Sequence, residues 1–127
     1  MTTVANVMTR HVLVLQGDMT LREAISYLAT QHVSGAPVFD GKRRLVGAVT
    51  ASDILQAESE GADLDNASVA DIMTSPTLTI GPEAELREAA LAMEYADVHR
   101  LFVELNGELI GVVSRSDVSR ALATGQV

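Results

Sequence analysis

Two short polar runs carry the residue types best suited to chemistry: Thr50-Ala51-Ser52-Asp53 and Ser114-Arg115-Ser116-Asp117. Each holds two hydroxyls and a carboxylate. At a helix start, unpaired N–H groups and hydroxyls favour phosphate. A neighbouring carboxylate can accept both hydroxyls of a ribose, as the acidic residue of dinucleotide-binding motifs does. The same spacing is that of a helix capping box, which satisfies orphan backbone donors and needs no ligand. One copy is therefore accounted for by capping alone. The second hydroxyl, Ser52 or Ser116, has no place in a cap and tilts the reading toward a ligand.

His99-Arg100 is the other polar feature. Arg binds phosphate bidentately and His adds a donor, although an Arg beside a His at a strand entrance is also a common solvated pair. His11 and His32 are isolated, and the three histidines show no metal-ligand spacing. Met8 and Met73 read as packing residues. The chain has no cysteine, hence no disulfide, thiolate site or Cys nucleophile. No nucleophile–base–orienter set and no paired catalytic carboxylates stand out, so the chain is not expected to be an enzyme, and neither metal nor resident cofactor is expected.

The elements that must position these residues occur twice. Val98 to Asp117 reads as two strands joined by Asn106-Gly107, running into a helix. Asn-Gly is the two-residue hairpin signal, because a type I′ turn needs positive φ at both central positions. Val33 to Asp53 repeats the unit with a longer turn, Asp40-Gly41-Lys42-Arg43-Arg44. Upstream, Thr3 to Thr9 and Ser68 to Thr74 read as short capped helices. Val12–Leu15 and Thr77–Ile80 read as strands. Leu21-Arg22-Glu23-Ala24 and Leu86-Arg87-Glu88-Ala89 open amphipathic helices, the first with Thr20 as N-cap and Glu23 closing the box. The offset between copies is 65 residues, falling to 64 after the shorter second turn. The expected organisation is a first motif at 1–58, an acidic linker at 59–67 and a second motif at 68–127. Each motif is helix-strand-helix-strand-strand-helix, an α+β arrangement. Under ~70 residues is little for an independent core, so the halves are expected to share burial, sheet to sheet about a pseudo-two-fold axis.

Composition narrows the function. Of 127 residues, 47% are apolar and only 3% aromatic, which gives a globular chain with an aliphatic core. A net charge of −8 argues against a general nucleic-acid or anionic-membrane binder, yet allows one small anion held by local cations. No signal peptide and no run approaching the roughly 20 apolar residues of a membrane span are visible, so a cytoplasmic location is expected.

Taken together, the duplicated Val-x-[Asp/Asn]-[Val/Ile]-Met-Thr, the Pro37-Val38 and Phe102-Val103 pairs, Leu45-Val46-Gly47-Ala48-Val49 with Leu109-Ile110-Gly111-Val112-Val113, and [Ser/Thr]-x-Ser-Asp resemble the cystathionine-β-synthase (CBS) domain. The resemblance runs from Val4 to about Ala123 and includes two motifs in register, so the chain resembles a stand-alone CBS pair, or Bateman module. The resemblance implies a regulatory module that binds adenosyl ligands (AMP, ADP, ATP or S-adenosylmethionine) in two clefts and forms a homodimer. It implies that Asp holds ribose, that the hydroxyls touch ribose or phosphate, and that the other half supplies the adenine pocket. One cleft would use Thr50, Ser52 and Asp53 with Thr77, Val98, His99 and Arg100. The other would use Ser114, Ser116 and Asp117 with His11, Leu13, Val33 and Ser34. Val98-His99-Arg100-Leu101 is similar to a phosphate-contacting segment of the γ subunit of AMP-activated protein kinase. Ser34-Gly35 stands at the His99-Arg100 position of the first half, so the Asp53 cleft is expected to take the more phosphorylated ligand and the Asp117 cleft to be weaker or to take a less charged one.

The leading expectation is thus a non-enzymatic sensor acting through differential affinity for two arrangements, with output to an effector protein or through the dimer. The alternatives are a ligand-independent dimerisation scaffold and a regulatory fragment of a larger enzyme or transporter.

Overall fold

The computed structural model describes residues 1–10, 12–75 and 77–125. Its elements are α1 (Val4–Val7), β1 (Leu15–Gln16), α2 (Leu21–Thr30), β2 (Gly35–Phe39), β3 (Leu45–Thr50), α3 (Ala51–Ser59), α4 (Val69–Ile72), β4 (Thr79–Ile80), α5 (Leu86–Ala96), β5 (Arg100–Leu105), β6 (Glu108–Ser114) and α6 (Arg115–Ala123). The repeated helix-strand-helix-strand-strand-helix order is as expected. The first strand of each motif is shorter: Val12–Val14 and Thr77–Leu78 lie outside the ladders, which take only Leu15–Gln16 and Thr79–Ile80.

The compact units divide the chain differently from the sequence repeats. One unit is Leu13–Thr77; the other combines Met1–Val12 with Leu78–Val127. The helix that opens each repeat is therefore built into the unit carrying the other repeat's sheet.

In the Leu13–Thr77 unit the sheet order is β1-β2-β3. β1 runs parallel to β2, with Leu15 opposite Val38. β2 and β3 form an antiparallel hairpin that places Gly35 opposite Thr50. Leu21, Ala24 and Leu28 of α2 and Ile54 of α3 cover this sheet, packing with Leu15, Val38 and Val49, and Val69 of α4 completes the cluster. Fully burying a Leu, Val or Ile contributes ~1.5–3 kcal/mol, so the core rests on aliphatic side chains, as the scarcity of aromatics requires. The N–H of Leu21 at the start of α2 donates to Ala67 O at 3.0 Å, and Thr74 exchanges both backbone hydrogen bonds with Ala48 of β3.

The second unit repeats the plan. Its sheet order is β4-β5-β6, with Arg100 opposite Ser114. Val4 and Met8 enter the core with Leu86, Ala89, Met93, Leu101, Val103, Val113 and Ala121. Leu86 N–H donates to Thr2 O at 3.0 Å, and Thr9 exchanges both backbone bonds with Val112 of β6. These contacts close helix and strand groups that would otherwise lack partners.

Two glycines permit the crossing of the short segments. A Cβ at Gly111 would stand 2.7 Å from Met8 Sδ and 2.9 Å from Thr9 O; at Gly47 it would stand 2.6 Å from Met73 Sδ and 2.9 Å from Thr74 O. The sulfur can move, but the carbonyl is held by the strand bridge.

The hairpin turns follow their sequences. Asn106 and Gly107 have φ of 53° and 82°, the type I′ signature. In the longer turn Asp40 accepts the N–H groups of Lys42 (2.7 Å) and Arg44 (3.0 Å) and the Nε of Arg44 (2.8 Å). The Arg44 backbone N–H, then that of Lys42 and the guanidinium, hold the Asp40 carboxyl below its ordinary range.

Gly47→Ala and Gly111→Ala should each destabilise the chain by about 1–3 kcal/mol through overpacking, read as a lower urea midpoint at unchanged m-value; wild-type midpoints would contradict the close approach. A carboxyl whose folded pKa is depressed adds stability above its unfolded pKa and loses it as pH falls through the folded value. Asp40→Asn should therefore be less stable than wild type at pH 7, with the gap closing below about pH 4. Urea titrations at pH 7 and pH 3 measure this; an equal gap at both pH values would refute it.

Candidate functional site

The N-termini of α3 and α6 are built alike. Each follows directly from a strand whose last residue is the N-cap: Thr50, with φ −115° and ψ 161°, and Ser114, with φ −117° and ψ 166°. Thr50 N–H donates to Asp53 Oδ2 at 2.8 Å, and Asp53 N–H donates to Thr50 Oγ1 at 3.1 Å. Ser114 N–H donates to Asp117 Oδ2 at 2.8 Å, and Asp117 N–H donates to Ser114 Oγ at 3.2 Å. Both are reciprocal capping boxes, so the capping reading of these runs is correct as far as it goes. Ser52 and Ser116 are exposed and take no part in either cap.

The residue entering the hairpin closes each helix start from the side. Ala51 N–H donates to Ser34 O at 2.8 Å, and Arg115 N–H donates to His99 O at 2.9 Å. Each unit thus gathers, at one end of its hairpin, the N-cap, the exposed serine, the carboxylate and the strand-entry pair: Ser34-Gly35 with Thr50–Asp53, and His99-Arg100 with Ser114–Asp117.

The remaining expected residues fall as follows. Leu13, Val33 and Thr77 belong to the Leu13–Thr77 unit and Val98 to the other. Val33 and Val98 donate their N–H groups to Leu28 O and Met93 O, closing α2 and α5. Val33 is 37% exposed, while Leu13, Thr77 and Val98 are half-buried. His11 lies outside the described residues.

The two helix starts differ in charge. Around α6 stand His99, Arg100, Arg115 and Arg120; the matching positions around α3 are Ser34, Gly35, Ala51 and Gln56. Arg120 Nη1 lies 3.3 Å from Asp117 Oδ1, a pair in which the Arg side chain is 69% and the Asp side chain 9% exposed. Arg115 reaches Glu94 of α5 at 3.8 Å. Gln56 instead donates to Glu60 at 3.2 Å. Arg115 and Arg120 were not picked out from sequence. The Asp117–Arg120 pair was findable from its three-residue helical spacing; the Arg115–Glu94 contact joins two helices and has no local signal. Among the described residues no group of three or more His, Cys, Asp or Glu could hold a metal ion. Nor is any described helix long and apolar enough to cross a membrane.

Known proteins match over this same extent. The AMP complex of CBSX2 superimposes with a TM-score of 0.84 at 28% identity and covers 100% of both chains. The CBS domain pair of protein MJ0100, solved with 5′-methylthioadenosine and S-adenosyl-L-methionine, has a TM-score of 0.85 at 22% identity, over 99% of this chain and 98% of that one; at that identity it speaks to the fold. By sequence the chain is 38% identical over 86% of its length to inosine-5′-monophosphate dehydrogenase of Korarchaeum cryptofilum, of which it spans 22%. It is 23% identical to homoserine O-acetyltransferase of Methanococcus vannielii, of which it spans 24%. It is 30% identical over 95% of its length to a 17.7 kDa protein of Acidianus ambivalens, spanning 73% of that protein. The chain thus covers about a quarter of the two enzymes it resembles. The CBS domain model matches twice, at residues 4–60 and 69–124, taking in both capping-box carboxylates. With both motifs matched and both reproduced in three dimensions, the chain belongs to the CBS domain family.

Proposed function

We propose that this chain is a non-enzymatic regulatory module that binds adenosyl ligands and reports their level to a partner. The observation that carries this reading is the twinned helix start. Each has a carboxylate fixed by a capping box beside an exposed serine that the cap does not use. Asp53 and Asp117 would accept ribose hydroxyls, and Thr50, Ser52, Ser114 and Ser116 would donate to ribose or phosphate. His99 and Arg100 would attract phosphate. Leu13, Val33, Ser34, Thr77, Val98 and His11 would complete the adenine side. The AMP complex of CBSX2, 28% identical over the whole chain, supports the ligand class. In the two enzymes the matched stretch is a small part, about a quarter of each. The signal would be transmitted by differential affinity for two arrangements of the module.

The module would act as a homodimer. On α5, Leu91 and Tyr95 are 63% and 96% exposed, and on α6 Leu122 is 58% exposed. Their counterparts in the first repeat are the polar Ser26, Thr30 and Glu58. Leu91 and Tyr95 lie four residues apart and share one helix face. A groove of about 180 Å³ lies between α5 and α6, lined by Met93, Glu94, Arg115 and Val118 among others.

Isothermal titration calorimetry with ATP, ADP, AMP and S-adenosylmethionine tests the ligand reading. Saturable binding is expected, with one class of sites lost in Asp53→Ala and the other in Asp117→Ala. No heat with any of the four, in folded protein, would favour the scaffold reading. Arg100→Ala should weaken ATP more than adenosine; equal losses would remove Arg100 from phosphate recognition. Leu91→Asp with Tyr95→Asp should shift sedimentation from dimer to monomer, and a wild-type monomer at tens of micromolar would refute the dimer.

A further inference from the structure

We infer that Arg120, by engaging the Asp117 carboxylate, lowers the affinity of the Asp117 site for a ribose relative to the Asp53 site. The inference rests on the ligand reading above and concerns how the two carboxylates differ in readiness.

A ribose diol is held best when a carboxylate has acceptor capacity to spare. In both caps Oδ2 is committed to the N-cap N–H at 2.8 Å. The other oxygen, Oδ1, then decides. Among the described residues Asp53 makes the capping-box bonds alone. Asp117 Oδ1 accepts from Arg120 Nη1 at 3.3 Å. The helical position that would place an arginine on Asp53 holds Gln56, which turns to Glu60. Asp117 is the deeper of the two carboxylates, with 7% of the residue exposed, whereas Asp53 is half-buried. A diol arriving at Asp117 must therefore share or displace a guanidinium, and one arriving at Asp53 need not.

The ion pair is mostly solvated on its arginine side, so its grip is modest. Exposed pairs are worth about 0.2–1 kcal/mol, which converts to about 1.4- to 5-fold in affinity. A difference of this size orders the filling of the sites with rising ligand concentration and leaves both usable. A module with two unequal sites responds over a wider concentration range than one with a matched pair.

The test uses 5′-methylthioadenosine, which carries no phosphate, so that the arginine acts on the ribose carboxylate alone. Titration of Asp53→Ala reports the Asp117 site, and titration of Asp117→Ala reports the Asp53 site. The first should bind about 1.4- to 5-fold more weakly than the second. Adding Arg120→Gln to the Asp53→Ala background should restore that loss, and adding Gln56→Arg to the Asp117→Ala background should introduce it. Raising salt from about 50 to about 500 mM should narrow the gap, since the solvated arginine side of the pair is open to screening. Residues 56 and 120 lie on exposed helix faces, so the exchanges should leave the melting temperature nearly unchanged. Equal affinities in the two backgrounds, or a gap insensitive to the exchange, would overturn the role of Arg120. Absence of binding in the wild-type chain, or binding indifferent to both Asp→Ala changes, would instead overturn the ligand reading.

Discussion

The structure depends on a backbone exchange. Residues 2–9 bond to the sheet and helix of the second repeat, and residues 67–74 do the same for the first. Each exchange satisfies a helix start, at Leu86 or Leu21, and part of an edge strand, at Val112 or Ala48. Those groups would otherwise be exposed edge or orphaned helix donors, which a small unit has few ways to cover. The exchange needs two backbones to pass closely, and Gly47 and Gly111 are the points of passage. It also seats Val4 and Val69 in cores where both are 0% exposed.

With the sheet edges occupied, the hairpins hold their N-caps in place. β3 and β6 each deliver an N-cap residue directly into a helix with no intervening loop. The carboxylate three residues on is then locked by the N–H of the strand's last residue. That bond makes Asp53 and Asp117 rigid acceptors and leaves Ser52 and Ser116 free. A cap and a ligand site share atoms here without conflict, because a carboxylate has two oxygens and the cap uses one. Where Arg120 takes the second, the balance shifts.

The sequence repeat gives two copies of this device, and they are unlike at their surfaces. Basic residues stand around α6, and small or neutral ones around α3. Leu91, Tyr95 and Leu122 on α5 and α6 are exposed where their counterparts are polar, and Leu55 on α3 is exposed where its counterpart is Ser119. Both differences fall on surfaces and leave the cores alike, so each unit can have its own ligand preference and contacts at little cost to the fold.

Much of this was legible in the residue order. The six-element plan, the Asn106-Gly107 turn, the caps at Thr20, Thr50 and Ser114 and the paired carboxylates were all readable, because their partner groups lie within two to four residues. Local geometry decides such features with little help from the rest of the chain. β1 and β4 are shorter than their sequences suggest, since an apolar run such as Val12–Val14 reads as strand whether or not a neighbour is present to bond it. The exchange of α1 and α4 between repeats was not legible. It joins Thr9 to Val112 and Thr74 to Ala48 across long stretches of chain, and no local propensity records which of two similar sheets an opening helix will choose. That choice belongs to packing: to the room above Gly47 and Gly111, and to the helix donors and strand edges that needed partners.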